Sequence, residues 1–243
     1  MKGNGNSLLF QDYQGRDYEG FWVGPGKQYL DKLERKIISH ALTGGNAILD
    51  IGAGFGRLGP CYMSKYRESH MLEPATNLRE AAERTFGSAV QYHSGNVYSL
   101  PFPDSTFDAA VMIRVFHHLG SPEVALREIH RVLKPGAIFV FSYSNKRNIG
   151  RIAKFLCGRA PNPFRGDCEP YHESLFGHRP GHVRELLARE HFEVKAEFAT
   201  GLLDKVINVL PPIGKIIEPS IALSRAIGTL RLAPAEIIVG VRQ

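Results

Sequence analysis

The spacing of hydrophobic residues changes along the chain, and each change predicts a new element. Between residues 27 and 42 the apolar positions recur every three or four residues, which predicts an amphipathic helix ended by Gly44-Gly45. The apolar run 47–51 is short and leads into glycines, as expected of a buried strand. A second helix is predicted over 56–65, directly after those glycines.

Short apolar runs and amphipathic stretches then alternate along the chain. Ser121-Pro122 suits a helix start, because serine can cap the first turn and proline loses no hydrogen bond there. Strands separated by helices predict an α/β fold, a Rossmann-like sheet of seven mainly parallel strands with helices on both faces. The remaining predicted strands are 69–73, 89–92, 107–113, 137–142, 192–199 and 235–241, and the remaining helices are 76–86, 121–131 and 181–190.

Three segments fall outside this alternation, and helical spacing on both sides of Pro211-Pro212 predicts a helix pair in the last of them. The first segment, 10–30, mixes glycines with aromatic residues, which suits either a water-excluding lid or an arm docked on the core. Its aromatic residues are Phe10, Tyr13, Tyr18, Phe21, Trp22 and Tyr29. We expect a single domain over 1–243 with an N-terminal arm (1–44), a ligand-binding core (about 45–145) and two helical insertions (about 146–178 and 201–234).

The composition is that of an ordinary globular protein, with 43% hydrophobic and 22% charged residues among 243. No apolar run reaches the roughly 18 residues of a membrane-spanning helix, and the polar N-terminus is unlike a secretory signal. The three cysteines are too few for a disulfide framework. Cys157, Cys168 and His172 lack the paired spacing of a zinc site, so no metal is expected. These features predict a cytoplasmic protein.

The net charge of +6 is unevenly distributed. Residues 146–165 contain six basic residues and no acidic one, which describes either a solvated loop or a patch facing an anionic substrate or a membrane surface. The stretch lacks the interleaved aromatic residues of a single-strand binder, so a nucleic-acid partner is not favoured.

The turn after the first predicted strand is the strongest chemical signal. Gly52, Gly54 and Gly56 let a ligand approach the backbone at the carboxyl end of a strand, where open α/β sheets bind ligands. Residues 54–59 also fit the dinucleotide fingerprint G-x-G-x-x-G, which leaves a nicotinamide cofactor open. Asp50 argues for a different ligand, because a carboxylate opposes a pyrophosphate but attracts the cationic amino-acid end of S-adenosylmethionine.

Further segments resemble one family. Residues 49–56 resemble the first motif of class I S-adenosylmethionine-dependent methyltransferases, and Met71-Leu72-Glu73-Pro74 looks like their acidic second-strand end. Residues 95–108 are similar to the stretch that grips adenine, and 115–119 and 131–136 complete the pattern. Together they look like the type 11, or ubiquinone-biosynthesis-like, small-molecule branch, over about residues 45–145.

The resemblance implies a sheet with an antiparallel last strand and a set of cofactor contacts. In the family, the carboxylate that Glu73 matches holds both ribose hydroxyls. The family usually has aspartate where this chain has Asn96, which either accepts from the adenine amino group or only makes a turn. The residues expected to bind S-adenosylmethionine are Asp50, Gly52, Ala53, Gly54, Glu73, Pro74, Asn96, Val97 and Arg114.

Three side chains near the end of the fourth strand carry open alternatives. Arg114 suits the cofactor carboxylate, Asp50, an acidic substrate or a structural ion pair. His117 and His118 follow the strand end, where either can take a proton from an oxygen or nitrogen nucleophile or serve only in packing.

The sequence therefore predicts in-line transfer of a methyl group from S-adenosylmethionine, with S-adenosylhomocysteine as product, to an unidentified small-molecule acceptor. An anionic or lipid-like acceptor is expected, and peripheral membrane contact and a homodimer are further expectations. Two alternatives stay open: an inactive cofactor-binding or scaffold protein, and a nicotinamide-dependent oxidoreductase.

Overall fold

Seven strands form one sheet in the order β3-β2-β1-β4-β5-β9-β8 in the computed structural model, which describes residues 18–172 and 175–243. Neighbouring strands are parallel except β9, which is antiparallel to both β5 and β8. The predicted Rossmann-like sheet with its antiparallel last strand is confirmed. The strands are β1 Gly45–Ile51, β2 Tyr66–Leu72, β3 Gln91–His93, β4 Phe107–Met112, β5 Leu133–Ser144, β8 Phe192–Thr200 and β9 Ala235–Arg242, with a separate hairpin of β6 Cys168–His172 and β7 Leu175–His178.

Helices cover both faces of the sheet. Successive side chains of a strand point to opposite faces, so a strand that is apolar throughout needs a helix layer on each side. Ile48 and Leu49 are both fully buried, yet they belong to opposite hydrophobic layers. Ile48 packs in the layer that contains α1, and Leu49 in the layer that contains α3 and α5. The helices are α1 Pro25–Ala41, α2 Thr76–Phe86, α3 Pro122–Val132, α4 Ile149–Leu156, α5 Pro180–Arg189, α6 Leu203–Val209, α7 Pro211–Ile216 and α8 Ile221–Gly228.

The helix predicted over 56–65 is wrong. The chain there makes successive turns around one 3-10 turn, Gly59–Cys61, with bonds such as Gly59 N–H to Gly56 O at 2.9 Å. Gly56 has a left-handed φ of +81°, and Pro60 has no N–H to donate. Apolar spacing alone therefore misjudged a stretch whose backbone is set by glycine and proline.

Two smaller expectations also changed. Pro122 begins α3 as predicted, but the Ser121 side chain makes no capping hydrogen bond. The second insertion holds three short helices in place of a pair, because α6 ends at Val209 and α7 starts afresh at Pro211.

The insertions leave the sheet at its carboxyl edge and return to it close by. The first closes where the Lys146 N–H donates to His178 O at 3.1 Å, and the second where Thr200 pairs with Ala235. None of the helices in the described parts of the chain is long and apolar enough to cross a membrane.

Candidate functional site

A cleft of about 690 Å³ opens at the carboxyl edge of the sheet, beside β1 where the strand order reverses. Its position follows the rule that open α/β sheets bind ligands at such a reversal. The residues predicted from the sequence that line it are Gly52, Gly54, Glu73, Pro74, Asn96, Val97, Arg114 and His118.

The glycine turn forms one wall of the cleft, and its conformation excludes side chains. Gly52 and Gly54 have φ values of +69° and +58°. A Cβ on Gly52 would lie 2.4 Å from Val115 Cγ2. The N–H groups of Gly52 and Ala53 donate to Leu72 O at 2.8 and 3.2 Å, which fixes the turn against the end of β2.

Glu73 is held at the end of β2 by two backbone donors. Its Oε2 accepts the Gly54 N–H at 2.8 Å, and its Oε1 accepts the Ala75 N–H at 2.9 Å. The side chain lines the cleft although the residue is only 6% exposed. A carboxylate oxygen accepts more than one hydrogen bond, so this carboxylate is oriented to bind a pair of adjacent hydroxyl groups as well.

Asp50 lies outside the lining of the cleft. It is 1% exposed, and its Oδ2 accepts from Tyr62 Oη at 3.0 Å. Because side chains alternate along a strand, Ile51 faces the cleft and Asp50 does not. Burial raises the pKa of the Asp50 carboxyl to about 7. Ala53 is likewise outside the lining, and contact of either residue with a cofactor stays a prediction.

The loop that contains Asn96 and Val97, which the family resemblance assigns to adenine binding, is ordered by Asn96 itself. Its Oδ1 accepts the Tyr98 N–H at 2.9 Å, so Asn96 makes the turn that its residue type favours. Asn96 and the buried Val97 both line the cleft. A contact between Asn96 and adenine stays a prediction, compatible with the second lone pair of the amide oxygen.

Arg114 lines the cleft in a strained conformation with φ +65°. Its backbone N–H donates to Ser142 Oγ at 2.8 Å. Its Nη1 lies 4.0 Å from Glu34 Oε1, and its Cζ lies 5.0 Å from the Phe21 ring centre. The observed charged partner is therefore Glu34 on α1 and not Asp50.

A buried ion cluster centred on Arg57 was not predicted from the sequence. Arg57 Nη2 donates to Glu34 Oε2 at 2.6 Å, and Nη1 pairs with Asp31. The guanidinium stacks on Trp22, with Cζ 3.8 Å from the ring centre. The available signal was Glu34, an acidic residue at a buried position of α1, three residues after Asp31.

The N-terminal arm packs onto the glycine turn. Tyr18 lines the cleft, and its ring lies 3.6 Å from the position that a Cβ on Gly54 would take. Its ring centre is 6.1 Å from that of Phe55 and 6.3 Å from that of Trp22. The predicted arm residues Phe10 and Tyr13 lie outside the described residues.

The two histidines differ in position. They belong to a 3-10 turn, Phe116–His118, and their ring centres are 4.2 Å apart. His118 lines the cleft, whereas His117 does not. Burial, with the nearby His118 and Arg114, lowers the pKa of His117 well below its usual range, so its imidazole is neutral at pH 7. His118 is thus the better placed to meet a reacting group.

Residues 49–141 match a family model described as Methyltransferase domain (Methyltransf_11). The chain carries a class I S-adenosylmethionine-dependent methyltransferase domain. This methyltransferase domain contains the glycine turn, Glu73, the Asn96 loop, Arg114 and both histidines. The resemblance seen in the sequence is confirmed.

Among curated proteins, the chain is 29% identical over 143 residues to the O-methyltransferase resE of Aspergillus sclerotiorum, covering 54% of each chain. It is 36% identical over 94 residues to a demethylmenaquinone methyltransferase of Chlamydia trachomatis, covering 37% of this chain and 41% of that protein. The chain thus matches about half the length of these relatives.

A solved S-adenosylmethionine-dependent methyltransferase from Thermotoga maritima superposes with a TM-score of 0.65 at 18% identity. The superposition covers 93% of this chain and 95% of that one. At this identity the likeness concerns the fold, which extends well beyond the methyltransferase domain matched in sequence.

Proposed function

We propose that this protein transfers a methyl group from S-adenosylmethionine to a small-molecule acceptor. The observation that carries the proposal is the Glu73 carboxylate, fixed by the Gly54 N–H on the wall of the cleft. A carboxylate oriented in this way fits the two hydroxyls of a ribose. The bound cofactor supplies an electrophilic methyl group on a sulfonium sulfur.

The residues present fit this cofactor better than a nicotinamide dinucleotide. The Gly52 and Ala53 N–H groups donate to Leu72 O and the Gly54 N–H donates to Glu73, so none is directed at a pyrophosphate. No α-helix follows the turn over residues 56–65, all of which are described, so no helix N-terminus attracts phosphate. The turn therefore favours S-adenosylmethionine over a dinucleotide, despite the overlapping G-x-G-x-x-G spacing.

Each part of the cleft suits one part of S-adenosylmethionine. Glu73 would bind the ribose, and the Asn96–Val97 loop would contact the adenine. The backbone of the glycine turn and the Arg114 guanidinium would hold the amino-acid end, the latter through its carboxylate. Tyr18 would exclude water from the cleft.

The reaction needs orientation above all, because in-line displacement is accelerated when donor and acceptor are held in contact. For an oxygen or nitrogen acceptor, a proton must also leave. We assign its removal to His118, the histidine that lines the cleft. The neutral imidazole of His117 lies beside it, with the two ring centres 4.2 Å apart.

The acceptor class is proposed from the N-terminal arm and the two insertions. These segments expose hydrophobic residues and carry most of the net positive charge, which favours an apolar or anionic small molecule. The relative from Chlamydia trachomatis acts, by its name, on demethylmenaquinone, which supports an apolar, lipid-like acceptor for this chain. A homodimer stays a proposal from the sequence alone.

Calorimetry with S-adenosylmethionine, S-adenosylhomocysteine and NADH tests the cofactor. We expect both sulfur compounds to bind and NADH not to bind; the opposite result would favour the oxidoreductase. Formation of S-adenosylhomocysteine with a panel of phenols, quinols and amines then tests turnover. Tight cofactor binding without turnover on any acceptor would favour the scaffold alternative.

A further inference from the structure

The exposed large hydrophobic side chains in the described residues are confined to three segments. All of them lie in the N-terminal arm or the two insertions, and none lies on α2, α3, α5 or the sheet. Isolated exposed apolar residues are ordinary, but their concentration in three segments is not. The most exposed are Ile216 (81%), Val209 (78%), Leu156 (77%), Val23 (75%), Leu230 (62%) and Ile149 (57%).

Helix α4 is the clearest case, because none of its residues is buried. It begins with a proper cap, in which Asn148 Oδ1 accepts the Arg151 N–H at 3.1 Å. Ile149, Ile152 and Leu156 recur at helical spacing and form one apolar stripe. An amphipathic helix is normally stabilised by packing this stripe on the core. Here both ends of the stripe face solvent.

The flanks of α4 are basic. Lys154, Arg159 and Arg165 are exposed, and no acidic residue occurs between residues 146 and 166. The acids that follow this stretch are already paired. Glu169 lies 3.5 Å from both Lys146 and Arg151, and Asp167 lies 2.6 Å from Arg179. The apolar stripe therefore lies beside positive charge that nothing in the described structure neutralises.

The end of the second insertion adjoins the start of α4. The Ile149 N–H donates to Leu232 O at 2.9 Å, and Asn145 Nδ2 donates to Arg231 O at 2.9 Å. Exposed Leu230 therefore lies close to the start of α4. In the same insertion Arg225 is exposed and adds to the positive charge.

We propose that α4 and the adjoining end of the second insertion bind the surface of an anionic lipid bilayer. An amphipathic helix with apolar residues on one side and lysine or arginine on the other lies in the headgroup plane and is attracted to anionic lipids. The cleft opens at the same edge of the sheet, so an apolar acceptor would reach it from the bilayer. That last step rests on the proposed function; the binding itself does not.

The charge distinguishes a bilayer from other occupants. In a two-fold dimer the same patch faces itself, so the basic flanks of two copies would repel each other. A nucleic acid would satisfy the charge but would leave Ile149 and Leu156 in water. An anionic bilayer can bury the apolar stripe of α4 and also bind its basic flanks through the lipid headgroups.

Sedimentation of the full chain with vesicles tests the proposal. We expect binding to vesicles of phosphatidylcholine mixed with phosphatidylglycerol, weaker binding at high salt, and little binding to phosphatidylcholine alone. Lys154→Gln should lower the partition coefficient about fivefold, and Leu156→Ser roughly tenfold. The control Arg84→Gln removes an exposed positive charge from α2 and should have no such effect.

Several outcomes would overturn the proposal. These are absence of binding to the anionic vesicles at low salt, equal loss with Arg84→Gln, or a dimer in sedimentation equilibrium that Leu156→Ser dissociates. Thermal unfolding of each variant checks that the fold is retained, as exposure of both side chains leads us to expect. S-adenosylhomocysteine binding in the same samples separates the two proposals, since retained cofactor binding without vesicle binding refutes only the membrane surface.

Discussion

Glu73 Oε2 accepts the N–H of Gly54 at 2.8 Å, and this single contact joins the ends of β1 and β2 at the wall of the cleft. The other carboxylate oxygen accepts the Ala75 N–H, so the side chain is fixed at both oxygens before any ligand arrives. A binding group that is already ordered loses little entropy when its ligand binds. In the proposed function, the pair would therefore couple the conformation of the glycine turn to cofactor affinity.

Replacing Glu73 with glutamine should weaken this arrangement. An amide accepts at one end only, so either Gly54 or Ala75 loses its acceptor and the ribose loses a charged partner. We expect S-adenosylhomocysteine to bind roughly 10- to 100-fold more weakly by calorimetry. Glu83→Gln, on the exposed side of α2, is the matched control. Equal affinity of the Glu73 variant and the native chain would contradict the assigned role.

The close approach at Gly52 predicts a stability loss beyond the effect of its φ angle. Gly87→Ala places a side chain at a positive φ with no atom within 4 Å, and should cost about 1–3 kcal/mol. Gly52→Ala also meets Val115 Cγ2, which should add about 1–3 kcal/mol. Urea denaturation measures both. Val115→Ala in the Gly52→Ala background should restore part of the loss, and no restoration would refute the steric explanation.

Asp50 should make the native chain less stable as the pH rises. Its pKa is about 7 in the folded protein and near the ordinary 3.8 when unfolded, so the unfolded state releases the proton first. Its contribution to stability is present below about pH 4 and is lost as the pH rises to about 7, on the order of a few kcal/mol. The unfolding free energy of Asp50→Asn, relative to the native chain, should therefore increase across this range.

The comparison between these two chains is needed because Glu236 titrates in the same direction. It is fully buried, and its pKa is also raised to about 7, chiefly by burial. Glu236 is present in both chains, so the difference between their pH profiles isolates Asp50. Parallel profiles would show that Asp50 keeps its ordinary pKa in the fold.

The Arg57 cluster predicts a contrast between two arginines that share a partner. Arg57 is buried with Glu34 and also pairs with Asp31, whose side chain is 24% exposed. Arg57→Ala should cost about 3–5 kcal/mol, because the buried Glu34 carboxylate loses its closest cation. Arg35 also pairs with Asp31, at 2.8 Å, but its side chain is 33% exposed. Arg35→Ala should cost at most about 1 kcal/mol. Similar losses for both in thermal or urea unfolding would contradict a structural role for the cluster.

His118 should affect turnover and not cofactor affinity. If it removes a proton from the acceptor, His118→Gln should lower kcat about 10²- to 10⁴-fold. S-adenosylhomocysteine affinity should change only slightly, because the cofactor contacts are assigned to other residues. His117→Gln, outside the lining of the cleft, is the comparison. A full rate with His118→Gln would assign catalysis to orientation alone.

The local spacing of apolar residues predicted most helices and strands correctly. It failed where glycine and proline set the backbone conformation. The spacing over 76–86 gave the exact bounds of α2 because nothing in that stretch competes with helix formation. Leu58, Cys61 and Tyr62 have the same spacing, yet glycine conformations and Pro60 prevent an α-helix there. Regular spacing of apolar residues indicates which side chains are buried. A helix forms there only if the backbone can also adopt helical φ and ψ angles.

The sequence predicted those residues of the candidate site that belong to short motifs, and missed those that meet only through folding. Gly54 and Glu73 belong to short motifs, and the structure brings them together. Arg57 and Trp22 meet through folding of α1 over the turn, a contact between distant residues that no local pattern encodes. Alternation along β1 did hold the information that Asp50 and Ile51 face opposite ways.

Each insertion begins and ends at adjacent backbone groups, with Lys146 bonded to His178 and Thr200 paired with Ala235. A loop closed in this way adds little strain to the sheet that carries it, whatever its length. In the proposed function, the insertions that would set acceptor choice and membrane attachment can therefore be exchanged, whereas Glu73 and the glycine turn would stay unchanged. Grafting different insertions between these two pairs of residues should then change the acceptor and leave the proposed cofactor contacts intact.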